Sequence, residues 1–411
     1  MLLSGFQGRP ASTQLPLAVA ASTAPAPVAA ASARPPGYYV RQRLLRNTPA
    51  MLGLGFIVLC TLVALLGYWV LPDNSPNANN GLVQLQKEAP GFRATILRLA
   101  LPDSARAESR GVLGTWGGGQ VPQFREVPIG GYRFQADSLL TTPYQNHSAL
   151  ADQGQRYSLA EVVGHPGEPG ALRREIEQGH LRQRTYWLGT DKAGRDELSR
   201  LLLGTRVSLG IGLVAVLISV VLGMLIGAVA GYVGGWVDSL LLGLMTVVWS
   251  IPGIMLVIAI SLALDSKGVW TSFVAVGLTM WVDVARVVRG QMLSLREKTF
   301  VEAGRVLGLP QHRLIWRHLL PNMTGPLIVL ATSNFAAAIL LEAGLSFLGL
   351  GVQPPAPSWG LMVNEGFQLL GTTAGFWLTL LPGLVISLLV LSFNLLGNGL
   401  RDAYDPKTPL S

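Results

Sequence analysis

Six long apolar stretches, at residues 50–71, 207–232, 239–264, 270–288, 326–345 and 376–396, constrain this chain more than any other feature. About twenty residues at 1.5 Å each cross a hydrocarbon layer of about 30 Å. Inside that layer every backbone N–H and C=O must be satisfied within the protein. Each stretch therefore predicts a membrane-spanning helix, and the chain reads as an all-α polytopic membrane protein with six crossings. Composition agrees: 50% of the 411 residues are hydrophobic and only 13% charged, about half the roughly 25% charged share of soluble domains. An ordinary soluble enzyme is excluded. The single cysteine, Cys60, lies inside the first stretch, so there is no disulfide framework and no cysteine metal site.

The net charge of +8 could be misread as nucleic-acid affinity, but its placement marks topology. Five of the 31 basic residues precede residue 50 with no acid among them, and seven more lie from Arg286 to Arg317 with two acids. Arg401 and Lys407 follow the last stretch, whereas the connection after the third holds only Lys267. Six crossings with both termini cytoplasmic satisfy this pattern. Residues 1–37, rich in Ala, Pro and Ser, have too few large apolar side chains to offset the entropy of ordering, and read as a disordered cytoplasmic tail. Their start, MLLSGFQGRP, lacks the basic region and apolar core of a signal peptide. Residues 38–71 supply a cytoplasmic lead and the first span. Residues 72–203, with 15 basic and 14 acidic side chains, read as a water-exposed extracytoplasmic insertion, since long loops translocate largely regardless of charge. Alternation over 124–134 suggests a strand there and 172–183 a polar helix, with no catalytic constellation. Residues 204–411 form the rest of the membrane domain.

Within the second stretch Gly223, Gly227 and Gly231 recur every four residues, so that one bare face admits another helix closely. Pro252 and Pro382 fall inside the third and sixth stretches and are expected to bend them. Residues 297–321, between the fourth and fifth stretches, carry a different pattern. Phe300, Ala303, Gly304 and Leu307 share one helical face, with Glu302 and Arg305 turned elsewhere. Gly308 can end that helix and Pro310 can start the next, in which Leu314, Ile315, His318 and Leu319 share a face as far as Leu320 and Pro321. The product is a helix-turn-helix knob with a basic rim of Arg305, Arg313 and Arg317. Spacing alone fits two readings equally: a knob docking in a protein groove, or an amphipathic pair lying on the inner membrane surface.

EAGRVLG followed by HLLP resembles the EAA loop of permease subunits in binding-protein-dependent ABC importers, whose pattern is Glu-Ala-Ala, three residues, Gly, nine residues, Ile, one residue, Leu-Pro. Glu302, Ala303, Gly308, Leu320 and Pro321 fall on matching positions, while Gly304 replaces the second Ala and His318 takes the Ile place. LGTDKAGRDELSRLLLGTRVSL at 188–209, LSFLGLGVQPPAPSWG at 345–360 and NLLGNGLRDAYDP at 394–406 are similar to the C-type permease of the dipeptide, oligopeptide and nickel branch, with Asn398 where that family usually has Asp. The likeness is weak over 38–71, strong over 186–406, and leaves residues 72–185 unexplained. It implies a six-helix type I ABC importer transmembrane domain in a bacterial inner membrane. A B-type permease would supply the other half of the pore, two P-loop ATPase subunits would drive it, and an extracytoplasmic peptide-binding protein would deliver peptide. By the same resemblance Glu302, Ala303, Gly304, Gly308, His318, Leu320 and Pro321 couple the chain to the ATPases. This chain has no Gly-Lys-Ser/Thr run, so ATP and Mg would be bound by the partner ATPases, with no cofactor held here.

Two rival classes are weighed against this reading. An ion-coupled transporter needs ionisable groups at mid-membrane, yet Asp283, Arg286 and Glu342 lie toward the ends of their stretches, where solvation or a local ion pair accounts for them. A metalloenzyme needs ligand spacing that His147, His165, His180, His312 and His318 lack. Nickel is disfavoured as cargo, because no His lies along a possible path. Ser333 and Asn334 are the polar positions of the fifth stretch, the helix that lines the pathway in related importers, although hydrogen bonding between helices explains them as well.

Overall fold

The computed structural model describes residues 36–102, 111–144, 154–265 and 268–405. The expected tail over 1–37 lies outside these residues except for its last two, as do His147, Lys267 and Lys407. The described chain begins with α1 (Pro36–Arg46) and α2 (Thr48–Leu66). Asn47 caps α2 by accepting from the Ala50 N–H at 3.1 Å, which satisfies one of the four free donors of a helix start. Gly67, at φ +49°, ends it.

The insertion folds around a five-stranded antiparallel sheet of β1 (Phe92–Ala100), β2 (Phe124–Gln135), β3 (Ser138–Pro143), β4 (Arg156–Ser158) and β5 (Leu181–Tyr186), in the order β4-β3-β2-β1-β5. Between β1 and β2 stands the short helix α3 (Val112–Gly118). α4 (Leu159–Val163) and α5 (Pro169–Glu175) follow β4. Alternation along β1 sends Leu97 and Leu99 to one face, where they pack with Ile129, Leu139, Leu159 and Leu172. Ala94 and Ile96 go to the other, under Leu82 and Leu85. The molecule is therefore mostly helical and not all-α as the apolar stretches alone implied. The strand expected over 124–134 is β2. The polar helix expected over 172–183 ends in a π-turn at Ile176–His180, and its last residues already belong to β5.

α6 (Glu197–Val233) begins ahead of the expected boundary at 204. Its 37 residues extend about 55 Å at 1.5 Å each, well beyond a bilayer core, so one rigid rod joins the sheet to the bundle. The bundle continues with α7 (Gly235–Trp249), α8 (Gly253–Ala263), α9 (Val269–Thr279), α10 (Trp281–Leu295), α11 (Thr299–Val306), α12 (Gln311–Leu314), α13 (Thr324–Phe347), α14 (Trp359–Phe367) and α15 (Thr373–Tyr404). Five helices or helix pairs are long and apolar enough to cross a membrane among the described residues. The third stretch is not one straight span: α7 and α8 meet at 93°. Pro252, which has no N–H to donate and disfavours helical geometry at Ile251, sits at that break. The count is six only if the bent pair crosses as one. Pro382, by contrast, lies within an uninterrupted α15.

Lipid tails are as apolar as leucine, so helices in a bilayer are held by close packing. Gly223, Gly227 and Gly231 supply it along α6. A Cβ on Gly223 would fall 2.8 Å from the Trp281 carbonyl oxygen, one on Gly227 2.4 Å from that of Ala285, and one on Gly231 2.7 Å from that of Arg289. The three positions thus track α10 turn by turn.

Candidate functional site

The knob grows from the end of α10. Val301 and Gly304 of α11 face inward, and Val301 joins Leu314 of α12, Leu319, Met323 and Leu327 in one core with Val288 and Met292 of α10. The turn between the helices is a Schellman motif. Gly308 stands at φ +72°, its N–H donates to the Arg305 carbonyl at 2.9 Å, and the Leu309 N–H donates to the Gly304 carbonyl at 3.0 Å. Pro310 precedes α12 as its cap. A π-turn at Ile315–Leu319 and a 3-10 turn at Leu320–Met323, holding Pro321, lead into α13. His318 is half-buried, and its carbonyl accepts from Asn322 Nδ2 at 2.6 Å.

One residue expected on the outer face is not there. Gly304 is buried, and a Cβ on it would lie 2.7 Å from Leu314 Cδ2. It is bare so that the second helix of the knob can close on the first. Phe300, Ala303 and Leu307 remain outward, with Glu302 and Arg305 beside them. Val306 and Leu307 are 88% and 80% exposed, and Trp316 is exposed as well. The knob is therefore a protrusion fixed to α10 and α13 by its core and apolar on its free side.

Ser333 and Asn334 are not brought together. Ser333 is exposed and lines a cleft of about 400 Å³ with Val329, Arg401 and Tyr404. Asn334 is buried, and its Nδ2 finds no hydrogen-bond acceptor among the described residues. Glu342 is 1% exposed and accepts from Ser346 Oγ at 2.7 Å. Neither the solvation nor the ion pair expected for it is present among the described residues, and it instead supports the segment after α13, where Ser346 Oγ also accepts from the Val352 N–H.

At the other end of α6 lies a cluster of charges that sequence reasoning did not single out. Arg200 is 0% exposed and pairs through Nη1 with Asp191 and, at 2.6 Å, with Glu365 of α14. Arg195 adds bonds to Asp191 at 2.6 Å and Glu365 at 3.2 Å, and donates to Asn79 at 3.1 Å. Burial works to raise the Asp191 pKa, but Arg200 and Arg195, with the N–H groups of Arg195 and Ala193, outweigh it and hold the carboxyl below its ordinary value. Asp196 caps α6 through the Ser199 N–H at 2.9 Å, while Ser199 Oγ accepts from the Asp73 N–H. The insertion, α6 and α14 are thereby clamped in one place.

Comparison with known proteins joins these parts. Residues 223–409 match the family described as the inner membrane component of binding-protein-dependent transport systems. Residues 36–87 match the N-terminal transmembrane domain of oligopeptide transport permease C. The dipeptide transport system permease protein DppC of Bacillus subtilis is 42% identical over 248 residues, 60% of this chain and 77% of that protein. The chain belongs to this permease family. The oligopeptide transport system permease protein OppC of Escherichia coli is 42% identical over 233 residues, 57% of the permease described here and 74% of OppC. The glutathione transport system permease protein GsiD of Pectobacterium atrosepticum is 41% identical over 222 residues, 54% of this chain and 73% of its own. A solved chain of the MetNI methionine ABC transporter, in an inward-facing conformation, has a TM-score of 0.40 at 18% identity, over 49% of this chain and 96% of that one. That likeness is too slight to argue from.

The permease is thus a multi-pass inner-membrane component of a transporter and not itself an enzyme. All five strands of the sheet lie between the two family matches, which end at 87 and resume at 223. The charge clamp draws on the TDKAGRDELSR run at 190–200. Asp191 and Arg195, four apart and followed by Arg200, were its visible signal, but Glu365 stands 165 residues from Arg200 and nothing local points to it.

Proposed function

We propose that this permease forms half of the pore of an ATP-driven importer of di- or oligopeptides, with a B-type permease as the other half. Two cytoplasmic P-loop ATPases, which bind the ATP and Mg, drive it, and an extracytoplasmic binding protein delivers the peptide. The names of the relatives, permeases for dipeptides, oligopeptides and glutathione, support the peptide class. Charge placement supports six crossings with both termini and the knob cytoplasmic and the sheet outside. The observation that carries the reading is the knob: an apolar free side on a protrusion whose core is shared with α10 and α13. A partner that closes on Phe300, Ala303 and Leu307 moves α10, and α10 is packed along the glycines of α6.

Ala303→Trp tests this against the membrane-surface reading. Ala303 is exposed on the free side, so a Trp there should block a tight protein groove, whereas a helix lying on lipid would accept it. Glu302→Arg is the companion, loosening a protein partner while strengthening attraction to anionic lipid. Both variants should insert normally, lose uptake of labelled peptide and recover less ATPase on co-purification. Wild-type uptake and ATPase recovery in Ala303→Trp would sink the coupling role.

A further inference from the structure

α3 is seven residues long, carries no charge, and leaves Val112 and Leu113 72% and 83% exposed. It packs against the turn Gly67–Trp69 that ends α2, beside Trp69 and Val70, both also exposed. Its attachment is specific. Trp116 Nε1–H donates to the Leu65 carbonyl. The Arg206 guanidinium lies 4.3 Å from the Trp116 ring centroid and donates to the Trp116 carbonyl at 2.8 Å and to the Ala64 carbonyl at 3.2 Å. Arg206 thus covers one carbonyl near the end of α2 and one of α3, and holds the indole at the same level.

The strip of α2 that leads up to this turn says what covers it. Leu59, Leu62, Leu66 and Trp69 are exposed at helical spacing, and Leu65, whose carbonyl Trp116 caps, is exposed beside them. A span of nineteen residues reaches about 28 Å at 1.5 Å each, so this level is where hydrocarbon gives way to headgroups. Tryptophan and apolar side chains without charge belong at that depth. A stable protein interface needs about 1,000 Å² of buried surface, more than one short helix can offer, whereas an apolar helix face enters the headgroup boundary by itself.

We propose that α3 is an interfacial foot: Val112 and Leu113 enter the lipid leaflet at the sheet end of α2, and Trp116 and Arg206 hold them there, seating the sheet on the bilayer. The proposal goes beyond the importer reading and needs only that α2 crosses the membrane.

Spin labels on the full chain in phosphatidylethanolamine and phosphatidylglycerol nanodiscs test it. In a Cys60→Ala background, Leu113→Cys, Leu62→Cys and Lys87→Cys place labels on the foot, in the span and on the exposed insertion. Collisions with oxygen should exceed those with a water-soluble nickel chelate several-fold at 113, as at 62, and the order should reverse at 87. A nickel-dominated label at 113 would put α3 in water. A label at 113 reached by neither agent would put a protein over it. Either result overturns the foot, and because all three positions are exposed the labels report on a chain folded as described.

Discussion

Arg195 and Arg200 stand at one end of α6, while Arg305, Arg313 and Arg317 belong to the knob, which follows α10 near the other end, where Arg296 donates to the Gly231 carbonyl at 3.2 Å. The first pair is buried and shares Asp191 and Glu365, whereas the knob arginines are exposed and enter no ion pair among the described residues. Their burdens differ accordingly. A buried ion pair recovers in Coulomb attraction about what it loses in desolvation, so its value lies in where it fixes the chain, and it fails badly when one partner is removed. An exposed charge contributes little to stability and remains available to another molecule. One end of the rod is built to stay together and the other to be met.

The sharpest way to break this comparison is Arg200→Ala. It leaves Asp191 and Glu365 buried with Arg195 as their one shared cation and the half-exposed Lys192 at 3.7 Å from Glu365, and should cost about 3–5 kcal/mol of stability. Cys60, buried and the only thiol in the chain, reports the loss directly: its reaction with a thiol dye on heating marks unfolding. Melting of Arg200→Ala at the wild-type temperature would mean that the clamp fixes nothing.

Why this cluster was hidden while the bundle was plain comes down to what a local reading can register. Each apolar stretch is its own evidence, because the bilayer sets length and polarity residue by residue. Hydropathy does not say whether a stretch runs straight, and a proline alone does not decide it: Pro252, expected to bend the third stretch, stands at a turn of 93°, while Pro382, expected to bend the sixth, leaves α15 continuous. β2 showed in its alternation, but Leu181 to Tyr186 did not, since Arg182, Gln183 and Arg184 are as polar as the end of a helix. A charged run such as Asp191 to Arg200 reads as solvated, and its burial depends on Glu365, far along the chain. Gly304 was misplaced for a related reason: helical spacing puts it beside Phe300 and Ala303, and only Leu314 of the next helix decides that it turns inward.

Between the two ends, Gly227→Leu asks whether burial or charge governs sensitivity. The position carries no charge, but a Cβ would lie 2.4 Å from the Ala285 carbonyl oxygen and 2.9 Å from Val288 Cβ. Neither backbone nor a branched side chain yields easily, so overpacking should cost about 1–3 kcal/mol, less than loss of the clamp and again read at Cys60. If Gly227→Leu melted like the wild type, the turn-by-turn contact of α6 with α10 would not hold.

The smallest effect is expected at the knob, and its smallness is what sharpens the comparison. Val306→Ser combined with Arg313→Ser changes an exposed apolar and an exposed basic side chain, neither of which contributes to the core of Val301, Leu314 and Leu319. Substitutions away from packed or paired groups stay within about 0.5 kcal/mol, so the Cys60 melting curve should coincide with that of the wild type. Peptide uptake should fall all the same, because the free side of the knob has lost part of what a partner grips. Stability and uptake thus separate at this end, whereas Arg200→Ala should lose both together. A knob variant that melts early would show that these side chains hold the fold, and one that keeps full uptake would show that no partner reads them.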